Sequence, residues 1–148
     1  TELKKLIARL EVNNDNAALT SRLLSLLHSA NGDEKSAGQA MAHALDLGFR
    51  VPPVQETLDF AVHVLEQNND YKHIVSLIQS EMIDDTDGKS LASGINYLHL
   101  AYALGNIARY DDARAAVSRA VELDPSLETS VAAFLAQLEL ARQGKLRD

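Results

Sequence analysis

Apolar residues recur three and four positions apart along almost the whole chain, and short polar clusters interrupt them at regular points. Leu3, Leu6, Ile7 and Leu10 form a first helical stripe over Glu2–Val12, which exits through Asn13-Asn14-Asp15-Asn16. Asn14 or Asp15 caps the next helix, Asn16–Ala30, and Asn31-Gly32 ends it. A return helix follows over Asp33–Leu47, stopped by Gly48. Pro52-Pro53 opens another helix in its first turn, where a missing N–H costs nothing, and that helix runs to Gln67. Asn68-Asn69-Asp70 forms a joint, and Tyr71–Met82 returns. After an acidic loop, Ile83–Gly88, a helix starts at Lys89 or Ser90 and reaches Ala108. Asp111–Leu123 returns from it, and a last helix opens at Pro125 or Ser126 and ends at Arg142 or Gln143. Lys145–Asp148 is expected to fray. The pattern therefore predicts an all-α chain of about eight helices, paired through tight polar joints.

The stretch Tyr97–Pro125, YLHLAYALGNIARYDDARAAVSRAVELDP, carries the most specific version of this pattern. Tyr97, Leu100, Ala101 and Leu104 occupy one helix, Ala113, Val117 and Ala120 the next, and Pro125 closes the unit. Small residues let two helices approach, bulky ones fill the groove between ridges, and proline cannot extend the second helix. The segment resembles a tetratricopeptide repeat, whose pattern spans about 34 residues. Tyr97 stands in the family's Trp place and Tyr110 in the aromatic place at the turn. Ala101, Leu104, Ala108 and Val117 depart from the family's Gly, Tyr, Gly and Phe.

Weaker copies lie upstream, around Asn31-Gly32-Asp33 with Ala37, Met41 and Ala44, and around Asn68-Asn69-Asp70 with Ile74 and Ile78. Glu34, Tyr71 and Tyr110 mark equivalent positions 37 and 39 residues apart. The surplus over the family period falls in the connections Gly48–Pro53 and Asp84–Gly88, where insertions are cheap. The resemblance implies a right-handed solenoid in one domain: a partial repeat over 2–12, repeats over 16–47, 53–83 and 90–124, and a capping or truncated-repeat helix over 126–143. A lone second helix at the start and a cut repeat at the end read as a piece of a longer protein.

In such a solenoid the first helices of successive hairpins line a concave groove. Transferred to this chain, that register places Leu19, Arg22, Leu26 and Ser29, then Glu56, Asp59, His63 and Glu66, then Ile95, Leu98, Tyr102 and Asn106 along it. From these, Arg22, Leu26, Asp59, His63, Glu66, Leu98, Tyr102 and Asn106 are the candidate partner-binding residues. The competing reading makes Leu19 and Ile95 core and the acids ordinary solvated positions. The expected ligand is a protein or peptide that carries Lys or Arg near apolar anchors. A carboxylate clamp of the kind chaperone-binding members use is disfavoured, because Glu56, Asp59 and Glu66 oppose an anion.

Composition narrows the alternatives. Hydrophobic residues make up 46% and aromatics only 5%, so Ala and Leu build the core and helix-on-helix packing is favoured over a sheet. A net charge of −7 repels nucleic acid and anionic lipid. No apolar run is long enough to span a bilayer. The chain has no cysteine, which removes disulfides, thiolate zinc sites and cysteine nucleophiles without fixing the compartment, cytoplasmic or periplasmic.

Five histidines, His28, His43, His63, His73 and His99, show neither i,i+4 pairing nor an HExxH motif, so no metal and no cofactor is expected. Asp84-Asp85-Thr86-Asp87-Gly88 lacks the closing Glu of a calcium loop. The glycines are scattered and cradle no phosphate, and no nucleophile elbow occurs. A cross-helix site such as His63 with Glu66 and Tyr102 would be needed for catalysis, and an open groove does not perturb acids and bases enough for it. The chain is therefore expected to be a non-catalytic interaction scaffold. The alternatives are a self-associating module, packed end to end through Glu2–Leu10 or the last helix, and an accessory domain of a larger enzyme or secretion system.

Overall fold

The computed structural model describes residues 2–12, 17–51, 54–83 and 93–144. These residues form eight α-helices and no strand: α1 (Glu2–Val12), α2 (Ala17–Ala30), α3 (Glu34–Asp46), α4 (Gln55–Gln67), α5 (Tyr71–Ile83), α6 (Gly94–Asn106), α7 (Tyr110–Leu123) and α8 (Glu128–Arg142). A single 3-10 turn, Pro125–Leu127, precedes α8. The expected all-α architecture of helices packed in adjacent pairs is observed. The chain divides into two compact units, Thr1–His73 and Ile74–Asp148.

In the first unit, α2 and α3 pack most extensively, with α1 against α2 and α3 against α4. Ala37, Ala44 and Ala61 are completely buried, and Met41 nearly so. Ser25, also completely buried, donates its hydroxyl to the Ala37 carbonyl at 2.8 Å and ties α2 to α3. Gly38 lets the α3 backbone come close to α4. A Cβ there would lie 2.8 Å from Asn68 Cβ and closer still to the Val64 carbonyl oxygen.

In the second unit, α6 packs on α7 and α7 on α8. Ala101, Ala103, Ala113 and Ala120 are completely buried, with Leu104 and Val117 between them. Gly94 plays the part here that Gly38 plays in the first unit, since a Cβ on it would meet Leu127, Asp124 and the Ala120 carbonyl.

The helix joints repeat one hydrogen-bond design. The Asp33 N–H donates to the His28 carbonyl and Gly32 N–H to Ser29. Asp70 donates to Leu65 and Asn69 to Glu66. Arg109 donates to Leu104 and Ala108 to Gly105. These are paired six-to-one and five-to-two bonds that close a helix around one left-handed residue. That residue is Gly32 (φ 79°), Asn69 (φ 53°) and Ala108 (φ 62°). Gly48 ends α3 in the same way. After the joints at 32, 69 and 108 the next helix starts within two residues. Asp33 accepts the Ser36 N–H at 3.1 Å and Asp70 the His73 N–H at 3.3 Å, each as an N-cap. Arg109 has no capping side chain and instead pairs with Asp112 at 2.8 Å.

Several boundaries differ from expectation. α4 begins at Gln55 after an extended Val54 (φ −124°, ψ 133°). α6 begins at Gly94, where the Ser93 hydroxyl caps it by accepting the Asn96 N–H at 3.2 Å. The helix expected from 126 instead starts at Glu128, since Asp124 accepts the Ser126 N–H and holds Pro125–Leu127 in the tighter turn. Asn13–Asn16, Pro52-Pro53, the acidic loop with its calcium-like stretch at 84–88, the start at 89 or 90, and the tail 145–148 lie outside the described residues.

Candidate functional site

Aligned on the left-handed residue of each joint, Arg22, Asp59 and Leu98 occupy one position on the first helices of the hairpins, ten residues before it. Leu26, His63 and Tyr102 occupy a second, six residues before it. Positions seven and eight before it are buried in every case: Ser25, Val62 and Ala101, and Leu24, Ala61 and Leu100. Each first helix thus presents one stripe to its core and sets the candidate residues beside it. Glu66 and Asn106 do not share a position. Glu66 aligns with Ser29 and Gly105, while Asn106 aligns with Ala30 and Gln67.

The candidates fall into two groups, one in each unit. In the second unit Tyr102 is exposed and its ring lies 6.4 Å from that of Phe134 on α8, tilted by 41°. The amide of exposed Asn106 donates to the Tyr102 carbonyl at 2.9 Å. Leu98 is half-buried. Ile95, 51% exposed, and Leu19 in the first unit, 57% exposed, are surface residues, which overturns the alternative that made them core.

In the first unit, Arg22 and Leu26 face a pocket of about 230 Å³ formed by α2, α3, α4 and the connector after Gly48. Its apolar wall is Leu26, Met41, Phe49, Val51 and Phe60, and Glu56 and Thr57 supply polar groups from the first turn of α4. The Arg22 guanidinium lies 5.8 Å from the centre of the Phe49 ring, a cation–π contact. Phe49 and Val51 enter the wall because the left-handed turn at Gly48 folds the connector back, its Phe49 N–H bonded to the Ala44 carbonyl at 3.0 Å.

The exposed face of α4 is acidic. Glu56, Asp59 and Glu66 lie on it and the helix has no Lys or Arg. Asp59 accepts from the Gln55 amide at 2.7 Å. His63 is exposed, and its Nε2 lies 3.6 Å from a carboxylate oxygen of Glu34 on α3.

His73 is the polar cluster that the histidine count did not single out. Its Nε2 is 2.7 Å from Asp46 on α3, and its Nδ1 is 2.7 Å from Asp70 in the α4–α5 joint. Burial opposes the charged ring, but hydrogen bonds and charges from Asp46 and Asp70 outweigh it and raise the pKa above the ordinary 6.5. Asp33 is held below its ordinary range, chiefly by its side-chain and backbone bonds to Ser36.

No three His, Asp or Glu side chains converge as a metal site among the described residues. No described helix is long and apolar enough to cross a membrane. The described residues therefore define an all-α protein of joined helix pairs, with an apolar pocket in its first unit that Arg22 and Glu56 also line. Comparison with protein-family models, curated proteins and solved structures returns no match.

Proposed function

We propose that the chain is a tetratricopeptide-like array whose hairpins stack as a solenoid and whose first helices bind a protein or peptide partner without catalysis. The recurrence of one joint carries this reading. Three helix ends close around a left-handed residue at 32, 69 and 108 with the same pair of hydrogen bonds. The residues three and seven after Glu34, Tyr71 and Tyr110 are buried each time: Ala37 and Met41, Ile74 and Ile78, Ala113 and Val117. Hairpins built to one plan cannot hide their apolar faces alone and are stabilised by stacking on copies of themselves. The first helices then offer Tyr102 and Asn106, both exposed, as contact residues in the second unit.

The test is affinity capture by the wild-type chain and by a Tyr102→Ala, Asn106→Ala double variant, read by mass spectrometry. The reading expects a partner recovered by the wild type and depleted by the variant, with an unchanged melting curve. Equal recovery by both chains contradicts it.

Leu6 and Val12 on α1 and Leu140 on α8 are exposed at 40%, 82% and 41%. These apolar positions favour self-association as a second reading, which light scattering across a concentration series resolves.

A further inference from the structure

We propose that the first-unit pocket receives a bulky apolar side chain of a partner peptide that carries Lys or Arg beside it, with the cation lying against Glu56 and Asp59. This inference rests on the interaction-module reading and names the partner chemistry for one of its surfaces. The pocket, about 230 Å³, exceeds the roughly 150 Å³ that an apolar cavity needs to hold benzene. Met41, Phe49 and Phe60 give it polarizable walls that adapt to a flat or branched group. Val51, buried to 3% exposure, is part of the connector wall and shows that the connector is packed in place.

Charge selects what flanks the anchor. Glu56 lines the pocket, and Asp59 follows one turn along α4, so a carboxylate sits at the rim and another next to it. Arg22 is the cation on the pocket wall, and its charge is directed onto the face of Phe49. The chain as a whole is at −7. A basic residue next to the anchor gains Coulomb energy on the α4 side, whereas an acidic one is repelled there.

The probes are three acetylated, amidated tripeptides, Lys-Phe-Lys, Lys-Ala-Lys and Glu-Phe-Glu, titrated into the chain with the Met41 methyl resonance as readout. Lys-Phe-Lys is expected to shift that resonance saturably. Lys-Ala-Lys is expected to leave it in place, and Glu-Phe-Glu to bind more weakly. Glu56→Gln should raise the Kd for Lys-Phe-Lys by about two- to fivefold, the effect of one exposed ion pair.

Tighter binding of Glu-Phe-Glu would overturn the proposal in favour of an anion site at Arg22. Equal binding of Lys-Ala-Lys would show that charge alone attracts the probe. No shift with any probe would remove the pocket as a site. These outcomes leave the capture experiment on Tyr102 and Asn106 unaffected, because those residues belong to the other unit, so failure of the pocket and failure of the interaction-module reading are separable.

Discussion

Replacing Gly38 by Ala should destabilise the chain, although the same change in an ordinary helix stabilises it by about 1 kcal/mol. The added Cβ would stand 2.8 Å from Asn68 Cβ. Carbon pairs are at their optimum at about 3.5–4.0 Å, so α3 and α4 would have to separate by about 1 Å. A gap of that size forfeits about a quarter to a half of each dispersion contact along the seam. The atom approached most closely is the Val64 carbonyl oxygen, which belongs to backbone and cannot rotate away as a side chain could. Overpacking of this kind costs about 1–3 kcal/mol, and the backbone contact places Gly38 toward the upper end, so after the gain in helix propensity the net loss is up to about 2 kcal/mol.

Urea denaturation followed by far-UV circular dichroism reads it as a midpoint lowered by up to roughly 1 M. Gly105→Ala is the matched control. Its Cβ would meet the end of the Leu138 side chain at 3.0 Å, which can shift, so its midpoint should stay near wild type or rise. A Gly38→Ala chain as stable as wild type would refute the close packing of α3 on α4.

Two further predictions follow from the joints and the histidine. Ala108 holds φ 62° with a Cβ, so Ala108→Gly should stabilise by about 1 kcal/mol, while Gly32→Ala at φ 79° should destabilise by a similar amount. Thermal melts of the pair should move in opposite directions, and shifts of the same sign would count against the shared joint. His73 has a folded pKa raised above 6.5, so its contribution is full below that value and is lost as pH rises through the folded pKa. His73→Gln should therefore cost about 0.5–1 kcal/mol at about pH 5.5 and little at about pH 8.5. A cost that is constant or grows with pH would exclude the clamp.

The helix stripes and joints were legible in the sequence because their signals are local. Asn31-Gly32 and Asn68-Asn69 announce helix ends, and Glu34, Tyr71 and Tyr110, taken as equivalent turn residues, are the first residues of α3, α5 and α7. Arg22 and Leu26 were also legible as one face of α2. The rest depends on partners distant in the chain. Gly38 and Gly94 look scattered until Val64, Asn68 and Leu127 are brought against them. His73 meets Asp46, 27 residues away. Phe49 and Val51 read as surplus length in a connector, and only the turn at Gly48 makes them a pocket wall. Ser93 caps α6 by accepting the Asn96 N–H, a role that any of several polar residues before Gly94 could have taken on sequence alone.

A crystal structure of the whole chain tests the stacking of equivalent units most directly. The account predicts that one rotation and translation carries α2–α3 onto α4–α5 and repeats to carry α4–α5 onto α6–α7. Hairpins related by unlike operations, folded around a common centre, would contradict it.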